Sequence, residues 1–301
     1  MSNLTIDNKA VLSKHARSFR WGAFFLSERA FNEAALIYTF CRLVDDIADR
    51  SDDRGRARRE LGQIRDELAG LVAARPLIHA FKELMAERRG DLAPAFDLIK
   101  GAELDLGKVE INNEHELLQY CYYVAGTVGL MMCVVLDVRT RSAEPFAIDL
   151  GLAMQITNIC RDVREDAEMG RIYVPIEWLR KHGIEPSDVL GGRVTSRQLV
   201  PVLREMLLLA DTYYRSADTG MRYIPFRQRL GIVVASRLYR AIGLHVRYKA
   251  FRVMEGRIFV PWYIKVVWTV WSLIELGRLA TLELVSTARH DRKLHKFLEP
   301  Q

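Results

Sequence analysis

Residues 151–166 read Gly-Leu-Ala-Met-Gln-Ile-Thr-Asn-Ile-Cys-Arg-Asp-Val-Arg-Glu-Asp, a mostly apolar stretch that predicts a buried helix. Polar side chains recur along it at steps of three, four and four residues, namely Gln155, Asn158, Asp162 and Asp166. On a helix of about 3.6 residues per turn, this spacing places them on one face. Two carboxylates at i,i+4 destabilise a helix by about 0.2–0.5 kcal/mol, and their unpaired burial costs more. We therefore expect positive charge against this face.

A second acidic pair occurs earlier in the chain. Residues 28–50 predict another largely apolar helix, which ends in Arg42-Leu-Val-Asp-Asp-Ile-Ala-Asp49. Within it, Asp45 and Asp49 are again four residues apart, and Arg42 continues their line toward the N-terminus. A lone D-x-x-x-D pair is usually a solvated helix face, but two such pairs in apolar helices disfavour that interpretation. The sequence predicts two carboxylate walls that face each other across a cavity.

Two acidic walls of this kind have a specific chemical use. Carboxylate oxygens suit Mg²⁺, with Mn²⁺ as a substitute, and Mg²⁺ shares its remaining positions with water and substrate phosphates. The walls would therefore hold a diphosphate through bridging metal, and nearby arginines would add charge-assisted hydrogen bonds. These arginines are Arg42, Arg161 and Arg171. The apolar helix faces around the walls would suit a long hydrocarbon tail.

The composition is that of an all-α protein, and we expect residues 1–301 to form a single domain. Half of the residues are hydrophobic and 27% are charged, and no linker-like segment divides the chain. The four cysteines show no C-x-x-C spacing and assemble no zinc site with the seven scattered histidines. Reduced core thiols are therefore expected. The N-terminus shows no signal-peptide pattern, which favours a cytoplasmic protein.

Helical stretches account for most of the remaining chain. We predict them at about 9–27, 60–74, 76–88, 92–106, 114–137, 197–218, 227–254 and 262–286. An extended stretch is expected at 170–175, and turns at 183–196. Gly126 and Gly129 each cost about 1 kcal/mol relative to alanine inside a helix. They predict a kink or a close approach by a neighbour, with helix packing favoured over substrate contact.

The C-terminal region is apolar and then basic. The most apolar segment, 258–274, is interrupted by Lys265 and is too short for the ~20 apolar residues that span a bilayer. Core packing is its more ordinary role, but its tryptophans would also suit peripheral docking on a membrane surface. The chain carries a formal charge of +6, and its basic end is most simply solvated. Nucleic acid is disfavoured, because aromatic residues do not interleave with the charges.

Together these motifs resemble those of the squalene/phytoene synthases. The matching stretches are His15-x-x-Ser18-Phe19, Cys41-Arg42-x-x-Asp45-Asp46-x-x-Asp49, Tyr120-Cys-Tyr-x-Val-Ala-Gly-Thr-Val-Gly129, Gln155-Ile-Thr-Asn158-Ile-x-Arg161-Asp162-Val-x-Glu165-Asp166 and Gly170-Arg-Ile-Tyr-Val-Pro175. The resemblance runs from about residue 12 to 260. It implies the class I isoprenoid synthase helical fold, with an aspartate-rich motif on each of two helices that face a central cavity.

The resemblance also implies roles for individual residues. Those expected to bind Mg²⁺ (or Mn²⁺) are Asp45, Asp49, Asn158, Asp162 and Asp166. Those expected to hold diphosphate are Arg42, Arg161 and Arg257. The reacting end would be lined by Ser18, Phe19, Tyr120, Gln155 and Tyr239, where the aromatic faces of Phe19 and Tyr120 stabilise a cation. A prenyl channel would be lined by Val124, Ala125, Val128 and Gly129. The catalytic set is expected to be Asp45, Asp49, Asp162, Asp166, Tyr120 and Arg42.

The implied reaction is the head-to-head (1′–1) condensation of two identical prenyl diphosphates. The stretches Tyr223-Ile-Pro-Phe-Arg and Ser236-Arg-Leu-Tyr-Arg look most like bacterial phytoene synthases. They favour two geranylgeranyl diphosphates, a cyclopropyl (prephytoene) diphosphate intermediate and phytoene as the product, with no NADPH. A C30 synthase that uses two farnesyl diphosphates, giving dehydrosqualene or squalene, is the alternative. The sequence leaves the oligomeric state open.

Rival interpretations fit the residues less well. Some relatives of these synthases are non-catalytic assembly factors, but such proteins would be expected to lose their aspartates, and both motifs are whole in this chain. A di-iron carboxylate bundle would need Glu-x-x-His pairs, and the chain contains none.

Arg17 and Arg20 depart from the family pattern around Ser18 and Phe19. They would either assist diphosphate binding or face solvent.

Overall fold

The computed structural model describes residues 25–50, 53–249, 251–256, 260–283 and 289–299. Within these ranges the chain consists of α-helices joined by short loops. Extended backbone pairs there only in an isolated bridge between Glu110 and Ile172. The prediction of an all-α fold is therefore confirmed.

The helices follow one another along the whole described chain. In chain order they are α1 (Glu28–Arg50), α2 (Arg54–Ala69), α3 (Pro76–Glu87), α4 (Ala93–Asp105), α5 (Glu114–Cys121), α6 (Thr127–Val135), α7 (Glu144–Glu168), α8 (Ile176–Lys181), α9 (Pro186–Leu190), α10 (Ser196–Gly220), α11 (Phe226–Tyr248) and α12 (Trp262–Glu283). A π-helical turn, Tyr122–Gly126, joins α5 to α6. Short 3₁₀ turns lie at Arg141–Ala143, Met221–Tyr223, Val253–Glu255 and Arg292–Leu298.

Helix α2 shows why one predicted boundary was wrong. The prediction was 60–74, but the helix begins at Arg54 because the Asp53 side chain caps it. The Asp53 carboxylate accepts hydrogen bonds from the backbone N–H groups of Gly55 and Arg56, at 2.8 and 3.0 Å. The helix ends at Ala69 because Gly70 adopts the left-handed conformation, with φ of 77°.

Two further boundaries differ from the predictions. The region 183–196, predicted as turns, contains the short helix α9, which begins with Pro186 in its first turn. Helix α11 ends at Tyr248 rather than near 254, and Phe251 follows in a left-handed conformation with φ of 57°. The predicted helix at 9–27 lies almost wholly outside the described residues.

The core is divided into two hydrophobic clusters, one of which contains residues of α1 and the other residues of α7. Helix α1 packs against α3, α4 and α6 in the first part. Helix α7 packs against α10, α11 and the π-helical turn in the second. The two acidic stretches therefore lie on the central helix of each part.

The backbones of α6 and α7 approach each other closely. A Cβ atom at Gly129 would lie 2.3 Å from the carbonyl oxygen of Ala147, and one at Gly151 would lie 2.4 Å from that of Ala125. Neither site has room for a side chain, so the predicted close approach is confirmed. The π-helical turn just before α6 is the local irregularity in this helix, and such turns are frequent at functional sites.

The continuous helical run Glu114–Val135 is long and apolar enough to cross a membrane by length and composition alone. In its most apolar window, 44% of the residues are buried inside the protein. The run packs against α4 and α7 in the core. Core helices meet the same criterion, so this finding is weak support for a membrane span.

Candidate active site

Two adjoining spaces open between α1, α7 and the π-helical turn. The apolar chamber, of about 330 Å³, is lined mainly by aliphatic and aromatic side chains. The polar chamber, of about 230 Å³, is lined in part by Arg42, Asp45, Asp105 and Tyr120. The two chambers share Tyr38, Cys41, Val124 and Gln155. A ligand with a charged end and a hydrocarbon tail could therefore occupy both.

Helix α1 supplies the first acidic wall. Arg42 Nη1 lies 2.7 Å from Asp45 Oδ2, and Arg42 Nη2 lies 2.6 Å from Asp46 Oδ1. Arg171, from the loop after α7, places Nη1 at 2.6 Å from Asp49 Oδ1. The positive charge expected against the acidic residues is thus supplied by arginines of the chain itself.

Helix α7 supplies the second wall and bends within it. Asp162 has φ of −104° and ψ of 15°, values outside the helical range, so the helix kinks at this residue. Many active-site residues have backbone angles in this region. Arg161 Nε donates to Asp162 Oδ1 at 2.7 Å. The Asn158 Oδ1 atom is buried and has no hydrogen-bond partner among the described residues, which leaves it available to a ligand.

Asp105, at the end of α4, was missed by the sequence analysis. Its carboxylate accepts hydrogen bonds from the hydroxyls of Tyr120 and Tyr173, at 3.1 and 2.8 Å. The two tyrosine rings stack with their centroids 4.7 Å apart. Asp105 has no acidic partner at helical spacing, so no periodic signal marks it. The available hint was indirect, since both tyrosines lie in motifs that the analysis singled out.

Three carboxyl groups, those of Asp45, Asp105 and Asp166, have raised pKa values and so resist ionisation. Burial, helped by Asp162, raises the pKa of Asp166 to about 8, although Arg171 opposes the rise. Burial raises the pKa of Asp105 to about 6 against its tyrosine hydrogen bonds. Asp45 is about half exposed within the chamber, yet desolvation by the walls and the charge of Asp49 raise its pKa to about 6. Perturbations of this size are typical of functional sites.

The donor set fits a hard divalent cation. The atoms are carboxylate and amide oxygens, which Mg²⁺ prefers, and a cation would lower the raised pKa values by favouring the ionised forms. The unpartnered Asn158 oxygen lies one helical turn from Asp162 and two from Asp166. The residues that would hold such a cation are Asp45, Asp49, Asn158, Asp162 and Asp166.

The apolar chamber contains every residue predicted for the prenyl channel. These are Val124, Ala125, Val128 and Gly129, and Gln155, Asn158 and Tyr239 also line it. Phe146 belongs to the same lining, nine residues before Gln155 on α7, or about 14 Å of helix rise. Gly220 lies against Phe146, since a Cβ atom at Gly220 would be 2.2 Å from the Phe146 Cβ.

The predicted site residues that line the chambers are Arg42, Asp45, Tyr120, Gln155, Asn158, Tyr239 and the four of the prenyl channel. The lining does not include Asp49, Arg161, Asp162 and Asp166, although Asp49 and Asp166 lie close enough to Asp105 to interact with its charge. Ser18, Phe19 and Arg257 lie outside the described residues, as do Arg17 and Arg20. The individual roles assigned to the site residues stay predictions. The four cysteines are free, as expected, and burial raises the pKa of the Cys41 thiol to about 12. That thiol is therefore a protonated lining group of both chambers.

Comparison with known proteins agrees with this geometry. Residues 12–269 match the Squalene/phytoene synthase family. A 15-cis-phytoene synthase from a Paracoccus species is 35% identical over 257 residues, which cover 82% of this chain and 83% of that protein. A phytoene synthase from Rhodobacter capsulatus is also 35% identical, with 76% of this chain and 69% of that protein covered.

Solved structures share the fold. A dehydrosqualene synthase crystallised with a ligand superposes with a TM-score of 0.83 at 28% identity, covering 91% of this chain and 96% of that one. A squalene synthase from Alicyclobacillus acidocaldarius, with a TM-score of 0.72 and 22% identity, covers 82% and 94%. The fold is thus the class I isoprenoid synthase helical fold, as predicted. The chain belongs to the squalene/phytoene synthase family and is an enzyme of the transferase class.

Proposed function

We propose that this enzyme condenses two geranylgeranyl diphosphates head-to-head (1′–1) to phytoene, with release of diphosphate and through a cyclopropyl (prephytoene) diphosphate. The observation that carries the proposal is the junction of a polar chamber, lined in part by Arg42, Asp45 and Asp105, with an apolar one. The relatives named phytoene synthase, which match three quarters or more of the chain, favour the C40 product. Carotenoid biosynthesis is the corresponding pathway.

The charged residues would exchange partners when substrate binds. Arg42, Arg161 and Arg171 neutralise the acidic walls in this structure. Once the walls hold cations, these guanidinium groups are free to donate to diphosphate oxygens. Bound Mg²⁺, or Mn²⁺, would supply neutralisation of the negative charge on the leaving diphosphate.

The apolar chamber would protect the carbocation that departure of diphosphate leaves behind. Its aliphatic walls exclude water, which would otherwise quench the cation. Tyr120 stacks on Tyr173 beside the junction, and an aromatic face stabilises a cation by about 0.5–2 kcal/mol. Gln155 and Tyr38 line both chambers and would place the reacting carbons at their boundary.

A C30 synthase is the second candidate, since the solved structures that superpose include a dehydrosqualene synthase and a squalene synthase. A product assay separates the candidates. Purified protein is incubated with Mg²⁺ and either farnesyl or geranylgeranyl diphosphate, with and without NADPH, and the extract is chromatographed. We expect phytoene from geranylgeranyl diphosphate, with no effect of NADPH. A C30 product alone would contradict the proposal, and a requirement for NADPH would indicate the squalene branch.

We further propose that this enzyme works from the cytoplasm and docks on the membrane surface through α12. Exposed apolar side chains follow one another at helical spacing along this helix: Tyr263, Val267, Val270 and Ile274, each more than half exposed. Such a stripe suits an interfacial helix, and both the substrate tails and the hydrocarbon product partition into lipid.

Sedimentation with liposomes tests this docking. A Val267→Asp/Ile274→Asp variant should sediment several-fold less than the wild type. The matched control is Leu208→Asp on α10, where the side chain is 55% exposed. Equal sedimentation of the α12 variant and the control would rule out α12 as the docking surface.

A further inference from the structure

A carboxylate of α7 that lines neither chamber has unusual partners. Asp149, on α7, is fully buried, with none of its surface exposed. His295 Nε2 lies 2.8 Å from its Oδ1, and His290 Nε2 lies 2.9 Å from its Oδ2. Both histidines come from the last described segment, 289–299, so the fold brings together residues about 140 positions apart.

The charge of Asp149 needs compensation. A buried carboxylate without a counter-charge costs several kcal/mol. Within the described part of the chain, its ion pairs are made to these two imidazoles and to no arginine or lysine. An imidazole has no permanent charge, and a cation bound among the three side chains would supply the positive charge.

The three side chains have the composition and spacing of a metal site. Their ligand atoms all lie within 4.8 Å of one another. Tetrahedral coordination by imidazole nitrogen and carboxylate oxygen at about 2.0–2.2 Å requires ligand atoms about 3.3 Å apart, so small shifts would admit an ion. Nitrogen ligands select borderline transition metals over Mg²⁺. We propose that Asp149, His290 and His295 form a Zn²⁺-binding site that is separate from the polar chamber.

The surroundings preorganise this site. Tyr213 donates a hydrogen bond to the Leu294 carbonyl at 3.0 Å, and Gln119 donates one to the Phe297 carbonyl at 3.1 Å. The C-terminal segment is therefore anchored on both sides of His295 without a metal. The two histidine side chains remain 9% and 14% exposed, which leaves a path for the ion to enter.

Zn²⁺ would cross-link the C-terminal segment to the helix that carries the second acidic wall. The His290 ring also meets Phe146 edge-on, with the centroids 5.2 Å apart. Because Phe146 lines the apolar chamber, a metal bound at His290 would help to fix the position of this part of the chamber wall. Its role is structural and it takes no part in the condensation.

Zn²⁺ titration of the full-length, tag-free protein tests the site. The protein is stripped with chelator and titrated in excess Mg²⁺, with bound zinc measured by elemental analysis and Tm by calorimetry. We expect about one Zn²⁺ per chain and a higher Tm. His295→Gln should weaken binding by at least about 100-fold. The control His79→Gln, at an exposed position of α3, should bind as the wild type does.

Two results would overturn the proposal. One is a wild-type protein that binds no stoichiometric Zn²⁺ and shows no change in Tm, which would leave a metal-free His–Asp–His cluster. The other is equal loss of zinc in the His79 control. To separate loss of a ligand from unfolding of the segment, Asp149→Asn provides a second variant of nearly identical shape. With Co²⁺ as a probe, the wild type should give the visible absorption of a tetrahedral site, and Asp149→Asn should abolish it.

Discussion

The polar and apolar chambers share four lining residues but are built on different principles. The polar chamber is lined by Asp45 and Asp105, whose pKa values are raised because burial disfavours their ionised forms, and a bound cation would favour those forms. The apolar chamber is shaped by close contacts, such as that between Gly220 and Phe146. Substitutions in the first should therefore change the rate of reaction, and substitutions in the second should change which product forms.

The largest effect is expected for Asp162→Asn. The amide keeps the shape of the carboxylate but not its charge, so cation binding at the kink of α7 is lost. We expect turnover to fall by at least about 1,000-fold, a loss of roughly 4 kcal/mol, with the helical circular dichroism unchanged. The control is Asp188→Asn, which removes an exposed ion pair with Arg193. Turnover within tenfold of the wild type would contradict the assignment of Asp162 to the metal.

Asp105→Asn should have a smaller effect, because we expect this residue to position Tyr120 rather than to bind substrate. A fall in kcat of about 10–100-fold is expected, with KM little changed. In a double-mutant cycle, Tyr120→Phe should add little once Asp105 has been replaced. Additive losses would show that the two residues act separately, and the hydrogen bond between them would then have no functional role.

The chamber walls show what periodicity predicts. Carboxylates at i,i+4 on α1 and α7 were located because a helix repeats every ~3.6 residues and a buried charge demands a reason. The same argument predicted the close approach at Gly129, since an isolated glycine inside a helix is costly. Local spacing therefore identified the elements of the cavity.

Contacts between distant parts of the chain could not be predicted from local spacing. Asp105 joins two tyrosines from separate segments, and Asp149 meets His290 and His295 from the end of the chain. In the sequence, neither aspartate has a partner at helical spacing, and the histidines appear scattered. Such clusters depend on how helices pack, which a single sequence does not encode in a local pattern.

Gly220→Ala should change the chain length of the product, whereas substitutions in the polar chamber should change the rate of reaction. The new Cβ would lie 2.2 Å from that of Phe146, whose position the backbone fixes, so α7 and α10 must move apart and the chamber must change shape. We expect preference for the C20 over the C15 substrate to fall by about tenfold, equivalent to about 1.4 kcal/mol in kcat/KM. The control is Gly62→Ala on α2, where a Cβ meets nothing within 4 Å. Unchanged selectivity would mean that another residue limits the chamber.

The smallest effect concerns stability and pH in the metal-free protein. Because the pKa of Asp166 rises to about 8 on folding, the folded chain binds more protons than the unfolded chain between about pH 4 and pH 8. The contribution of Asp166 to the free energy of unfolding is therefore most favourable at low pH and becomes less favourable as the pH rises to 8. Asp166→Asn has no such group, so its Tm should exceed that of the wild type increasingly as pH rises.

Calorimetry in chelator at pH 5 and pH 8 measures this difference. The Tm of Asp166→Asn should exceed that of the wild type by a few degrees more at pH 8 than at pH 5. This expectation uses a shift in Tm of about 2–4 °C for each kcal/mol of stability. Excess Mg²⁺ should then raise the wild-type Tm at pH 8 and leave the variant almost unchanged, since the cation needs the ionised carboxylate. An excess in Tm that is equal at both pH values would show that burial does not oppose ionisation of Asp166. A cation would then gain nothing from the ionisation of Asp166, and the raised pKa values of Asp45 and Asp105 would be left as the electrostatic difference between the polar chamber and the apolar one.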